Sequence, residues 1–140
     1  MLIGEYRHSL DIKGRVNFPA KIREELGDSF IICKGLGDKC LYVYSIEEWG
    51  RLEEKIKDLP ISKSRMLQRF LFSGAIKAVP DKQGRIVIPT NLREYAEIES
   101  EIVVAGASTR AEIWNAEVWD ENAKLITPEM LEETMLDLNF

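Results

Sequence analysis

One stretch occurs twice, and that repetition constrains the fold more than any other feature. Asp11-Ile12-Lys13-Gly14-Arg15-Val16-Asn17-Phe18-Pro19, followed by Arg23-Glu24, returns as Asp81-Lys82-Gln83-Gly84-Arg85-Ile86-Val87-Ile88-Pro89, followed by Arg93-Glu94. Each residue of the second copy lies 70 positions after its counterpart, as 81 follows 11 and 85 follows 15. Asp, Gly, Arg, Pro, Arg and Glu are identical at six matched places, and apolar side chains match at Val16/Ile86, Phe18/Ile88 and Ile22/Leu92. Agreement this dense, in this order, marks an internal duplication. Half of 140 residues is near the lower limit for holding a core alone, so the halves are expected to share one.

Each half reads as strand, turn, strand, helix, strand, turn, strand, and then helix. In the first half the strands are expected at 2–10, 15–18, 30–33 and 40–44, with a short helix at 19–26. Val16 and Phe18 should face the core, and Arg15 and Asn17 should face out, because side chains alternate along a strand. Asp11 and Gly14 suit a tight reversal in which Gly takes a positive φ at no steric cost. In the second half the matching strands are expected at 75–80, 85–88, 101–105 and 111–114, with a helix at 89–96. Helical spacing then places helices at 46–59, 62–72, 117–125 and 128–138. Ser62 is the expected cap of the second of these, and Thr127-Pro128-Glu129 is the start of the last. Met130, Leu131, Thr134, Met135 and Leu138 form an apolar stripe suited to core or to subunit packing. The fold class is therefore α+β, with modules at 1–72 and 73–140.

The net charge of −5 argues against nucleic acid only until its distribution is seen. Residues 1–23 hold five basic and two acidic side chains, and residues 61–93 hold seven and one. Residues 24–60 hold five basic and nine acidic, and residues 94–140 hold two and twelve. Positive charge gathers in and just before the repeated motifs, and acid gathers after them. A local basic face can bind phosphate on an acidic protein, because screening limits interactions to about 10 Å. No apolar run approaches the roughly 20 residues of a membrane helix. Glu5, Arg7 and His8 interrupt what a signal peptide would need as an apolar segment. The spacing of Cys33 and Cys40 does not match close zinc-ligand pairs, and buried thiols in a reducing cytoplasm are the expectation, with a hairpin disulfide as the lesser alternative.

Catalytic equipment is missing from the pattern. His8 is the single histidine, and nothing in the sequence places a nucleophile beside it. An Asp beside an Arg stays ionised and makes a poor acid or base. Gly35-Leu36-Gly37 lacks the rest of a dinucleotide fingerprint, and no phosphate-loop sequence occurs. Neither metal nor cofactor is expected. Binding fits the motif better. Asp11 and Asp81 can cap their turns or orient their arginines while Arg15 and Arg85 project outward. Lys13, Lys82 and Gln83 share the turns, and Arg and Gln are base-edge readers in the DNA major groove. Alternatives are a protein-interaction or antitoxin-like module using the acidic C-terminal third, a small enzyme, and an RNA binder without the aromatic platform of single-strand readers.

The opening run from Gly4 to Arg15 with Pro19-Ala20, and the second run from Asp81 to Pro89 with Leu92-Arg93-Glu94, resemble the MraZ family of bacterial transcriptional regulators. The likeness covers almost the whole chain. It implies two tandem AbrB-like modules forming a swapped-hairpin β-barrel with one core and flanking helices. It implies homo-oligomeric rings and a cytoplasmic, nucleoid-associated protein. Its double-stranded DNA partner would be repeated G-rich elements in the promoter of the division and cell-wall gene cluster, bound generally in repression. By the same likeness Arg15 and Arg85 match the DNA-contacting arginines, and Asp11 and Asp81 match their acidic partners. Lys13, Lys82 and Gln83 stand at positions suited to contact, and Arg7 and His8 belong to the opening signature.

Overall fold

A computed structural model describes residues 1–139. Among them are eight strands and six helices. The first half contributes β1 (Glu5–Ser9), β2 (Arg15–Asn17), α1 (Ala20–Leu26), β3 (Phe30–Lys34), β4 (Leu41–Ser45), α2 (Ile46–Lys57) and α3 (Ile61–Ser73). The second contributes β5 (Ile76–Ala78), β6 (Arg85–Val87), α4 (Thr90–Tyr95), β7 (Glu101–Gly106), β8 (Ala111–Asn115), α5 (Ala116–Leu125) and α6 (Pro128–Leu136).

Six strands form one antiparallel sheet in the order β1-β7-β8-β4-β3-β5, and β2 pairs with β6 as a separate ribbon. The order is a palindrome of the duplication, because β1, β7 and β8 are the counterparts of β5, β3 and β4. The register has the same symmetry. Val16 stands opposite Ile86 and Tyr42 opposite Glu112, each pair 70 positions apart. An approximate two-fold axis therefore runs through both pairs. The first strand of each half completes the sheet of the other: β1 pairs with β7, and β5 with β3. The halves are entwined at the level of backbone hydrogen bonds.

Alternation along the strands sorts side chains into two layers. Phe30, Ile32, Leu41, Val43, Ile102, Val104 and Ile113 point to the ribbon side. There they meet Val16, Phe18, Ile86 and Ile88 with Ile22 and Leu92 from α1 and α4. Cys33, Tyr42, Val103, Ala105 and Trp114 point the other way and are covered by α2 and α3 through Ile56 and Leu71. This layer also takes in Trp49, Leu67, Phe70 and Trp119. Strands buried on both faces need no polar side, which explains the continuous apolar runs at 30–33 and 102–105. Cys33 and Cys40 are buried free thiols, each pushed up to about 12 by burial. They are packing residues here.

Helix ends follow local chemistry. The Ser45 hydroxyl accepts from the Glu48 N–H at 3.1 Å, Asn115 caps α5, and Thr127 accepts from the Met130 N–H at 3.2 Å. Three expectations are corrected and a fourth is narrowed. β1 starts at Glu5, because Gly4 at φ +102° breaks the extended run and Leu2 instead bridges to Ser108. β5 is only three residues long. Ser62 does not cap α3: the helix starts one residue earlier, directly after Pro60, whose carbonyl accepts from the Ser64 N–H. Of the two uses left open for the α6 stripe, packing in the chain's own core falls away, for no residue of that helix is buried.

Candidate nucleic-acid interface

Each repeated motif builds the same small device. In the first turn the Gly14 N–H donates to the Asp11 carbonyl at 3.0 Å, and the Asp11 N–H donates to the Arg15 carbonyl at 2.8 Å. The Asp11 side chain then does two things. Its Oδ1 accepts from the N–H groups of Lys13 and Arg15, both at 2.9 Å, and its Oδ2 accepts from Arg15 Nε at 2.7 Å. The second turn repeats this bond for bond, with Asp81 Oδ1 taking Gln83 and Arg85 N–H and Oδ2 taking Arg85 Nε at 2.9 Å. Gly14 and Gly84 sit at φ +77° and +79°, which side chains with a Cβ rarely adopt. Both possibilities raised for the aspartates, turn cap and arginine holder, are realised together.

The pairing of β2 with β6 brings the two devices onto one surface. Val16 and Ile86 face the core, so their neighbours face out. Arg15 stands opposite Val87, and Asn17 stands opposite Arg85. The ribbon is stitched at both ends by reciprocal bonds of 3.0 Å, from Phe18 N–H to the Gly84 carbonyl and from Ile88 N–H to the Gly14 carbonyl. Each arginine thus has its Nε edge held by its own aspartate. Among the described residues no hydrogen bond or ion pair takes the terminal nitrogens of Arg15 or Arg85. A guanidinium fixed this way offers two parallel donors to a phosphate or to guanine O6/N7. Lys13, Lys82 and Gln83 are exposed in the flanking turns, as is Ile12 at the tip of the first.

Arg7 and His8 lie elsewhere. They sit on β1 against β7. The Arg7 guanidinium makes a two-pronged pair with Asp120 of α5, at 2.6 and 3.2 Å, and lies 3.7 Å from Glu5. That ties β1 to α5 and leaves Arg7 more committed than the ribbon arginines.

Arg23 and Arg93 carry a role that was visible only as repetition. A Cβ added to Gly84 would lie 2.7 Å from the Arg23 guanidinium carbon, and one added to Gly14 would lie 3.1 Å from that of Arg93. Each helix therefore lays its arginine over the turn glycine of the opposite half. Arg23 Nε donates to the Phe18 carbonyl at 3.0 Å, whereas Arg93 Nε is buried without a partner among the described residues and its Nη2 reaches Thr90. The identity of Arg23 and Arg93 at matched places was the signal.

Hydrogen bonding holds both carboxylates below the ordinary carboxylate range. The Arg15 N–H is the largest cause for Asp11, and the Arg85 N–H for Asp81; the guanidinium and the N–H of Lys13 or Gln83 add to it. A depressed folded value contributes stability that is present above the unfolded pKa, about 3.9, and is lost as pH falls through the folded value. The turns are expected to keep their form down to and below about pH 4. Carbon-detected NMR titration checks this. Arg15→Ala should raise the Asp11 midpoint only in part, because the backbone donors remain. A return to the full free value would mean that the ion pair alone sets it.

The chain is thus a duplicated α+β protein that presents two like Asp–turn–Arg devices on one two-stranded ribbon. The family model described as "MraZ protein, putative antitoxin-like" matches twice in tandem, over residues 1–70 and 71–137. A "Transcriptional regulator MraZ" of Thermoanaerobacter sp. (strain X514) is 52% identical over 143 residues, covering 99% of each chain. One of the same name from Clostridium acetobutylicum is 52% identical over 141 residues, again covering 99% of each. One from Caldanaerobacter subterraneus subsp. tengcongensis is 54% identical over 126 residues, 89% of this chain and 87% of that one. The chain belongs to the MraZ family, whose named relatives are regulators and not enzymes.

Proposed function

We propose that this protein is a sequence-specific transcriptional regulator that reads double-stranded DNA with the β2–β6 ribbon. The observation that carries the reading is the pair of guanidinium groups held at Nε and open at both terminal nitrogens. Arg15 and Arg85 are the readers. Lys13, Lys82 and Gln83 steer and contact from the turns, and Asp11, Gly14, Asp81 and Gly84 shape them. Arg7 and His8 are secondary contacts, with Arg7 having to share Asp120. The targets are repeated G-rich promoter elements of the division and cell-wall genes, and the effect is repression. The modules at 1–72 and 73–140 act as one swapped-hairpin unit of AbrB type. Copies assemble into a ring at the nucleoid, where neighbouring units engage neighbouring repeats and raise affinity without new contacts. The relatives' names and the local basic segments support this reading, and no helix of the described chain is long and apolar enough to cross a membrane.

The test is a gel shift and footprint on DNA upstream of the protein's own gene, run over a salt series. Affinity is expected to fall steeply with salt, since neutralised phosphates release counterions. A complex insensitive to salt, or no retention on that DNA at all, would sink the proposal. Capture of one stoichiometric protein partner without DNA retention would favour the antitoxin-like alternative.

A further inference from the structure

The backbone of the ribbon is two-fold symmetric, but its two ends are not chemically alike. The Gly14 N–H donates to the Asp11 carbonyl, so Ile12 and Lys13 hold the two central places of the first turn. Lys82 and Gln83 hold the same places in the second. Ile12 is 98% exposed, more than any other large apolar side chain among the described residues. Across the ribbon from Arg15 stands Val87, itself 51% exposed. Across from Arg85 stands Asn17, also exposed. The Arg15 end therefore joins a guanidinium to two open aliphatic groups. The Arg85 end joins one to a lysine, a glutamine and an asparagine.

A single exposed aliphatic residue is ordinary. Two at one end of one ribbon, each matched by a polar residue at the other end, are not explained by the fold. The core takes Val16, Phe18, Ile86 and Ile88 from this region and uses neither. Both side chains are β-branched and stiff at χ1, so packing costs them little rotamer freedom. In the DNA major groove thymine alone among the four bases presents an apolar group, its C5-methyl, and apolar side chains recognise it. Asparagine and glutamine instead meet adenine N6 and N7. An apolar protein surface is the poorer occupant, because it would cover the open donors of Arg15 without pairing them.

We infer that Ile12 and Val87 are specificity-determining residues that pack on a thymine methyl beside the group met by Arg15. This rests on the DNA-reading role proposed for the ribbon and deepens it. The Arg85 end, with Asn17 and Gln83, reads its neighbouring base by hydrogen bonds. A ribbon with one apolar and one polar end tells apart the two directions of a DNA sequence, although its backbone does not. The site it prefers has no two-fold symmetry.

Deoxyuridine tests it, because as a base it differs from thymidine only by that methyl and keeps the base pair. Synthetic duplexes of the footprinted upstream DNA carry deoxyuridine at one thymine position at a time, and fluorescence anisotropy reads binding of the full chain. Synthetic DNA holds no methylated cytosine, so the methyl read is thymine's. For the wild type, one position is expected to lose about four-fold in affinity per contact, which is what burial of one aliphatic carbon is worth. Ile12→Lys combined with Val87→Asn gives the Arg15 end the residues of the Arg85 end, and it is expected to bind both DNAs equally. Both positions face solvent, so folding should be retained, and circular dichroism melts check that. Ile12→Lys alone, at the more open site, is the companion variant and should weaken the preference. A wild type that binds but is indifferent to every replacement overturns the inference and leaves the regulatory reading standing. So do variants that keep the full preference for thymine. A wild type that retains none of the DNA sinks the regulatory reading and this inference with it.

Discussion

Arg15→Ala combined with Arg85→Ala is expected to abolish retention of promoter DNA while leaving the fold and the assembly as they are. The physical reasons separate the two outcomes. Each arginine presents two open donors, and losing one two-pronged contact to a base or phosphate removes roughly 1–3 kcal/mol of binding. That is roughly 5- to 150-fold for one arginine, and the product of two such factors for the pair. Folding loses far less. The Arg15 and Arg85 side chains are 35% and 33% exposed, and ion pairs this open to solvent add little to stability. The turn itself stays pinned, because Asp11 Oδ1 still accepts from two backbone N–H groups that alanine retains. Gel shifts on the wild-type operator and on a copy with its guanines replaced tell the modes apart. Base reading predicts that the variants lose preference between the two DNAs. Phosphate contact predicts uniform weakening and a shallower salt slope. Undiminished binding by a folded double variant would remove the ribbon from the interface.

Phe18→Ala is expected to destabilise the protein by roughly 3–5 kcal/mol, the range for deleting a well-packed aromatic ring. Domains of this kind are stable by only about 5–15 kcal/mol in total, so the change takes a large share. Phe18 is 2% exposed and its ring packs on Phe30 with centroids 5.1 Å apart. It also stands where the ribbon is stitched, its N–H bonded to the Gly84 carbonyl of the other half. The ring therefore joins the arginine-bearing ribbon to the six-stranded sheet. Val87→Ala is the control on the same ribbon. Val87 faces out at 51% exposure, and its loss is expected to change stability by about 0.5 kcal/mol or less. Urea denaturation followed by tryptophan fluorescence measures both. Equal effects from the two would contradict the inward and outward assignment of the ribbon.

How much of this could be read without coordinates depended on how far apart the interacting residues are. The Asp–turn–Arg device was legible because its bonds join residues two and four positions apart, where the chain has few alternatives. Alternation at 15–18 correctly sorted core from surface for the same reason. The helix start at Thr127 was local as well. Ser62 misled, because a serine near a helix start caps only if the helix begins just after it, and Pro60 brought the chain into α3 first.

The duplication is a property of the sequence, and the constraint it places, two like halves each too small to stand apart comfortably, followed from length alone. What the halves do with each other was decided in three dimensions. Nothing local tells a three-residue strand to pair with its own copy 70 positions on, in the register that sets Val16 against Ile86. The pairing arises because both strands carry one apolar face that only a shared core can bury. The same holds for the pair between Arg7 and Asp120, 113 positions apart, and for Arg23 lying over Gly84. Local chemistry shaped each turn. Burial between the halves placed the two turns together and gave their arginines a common face.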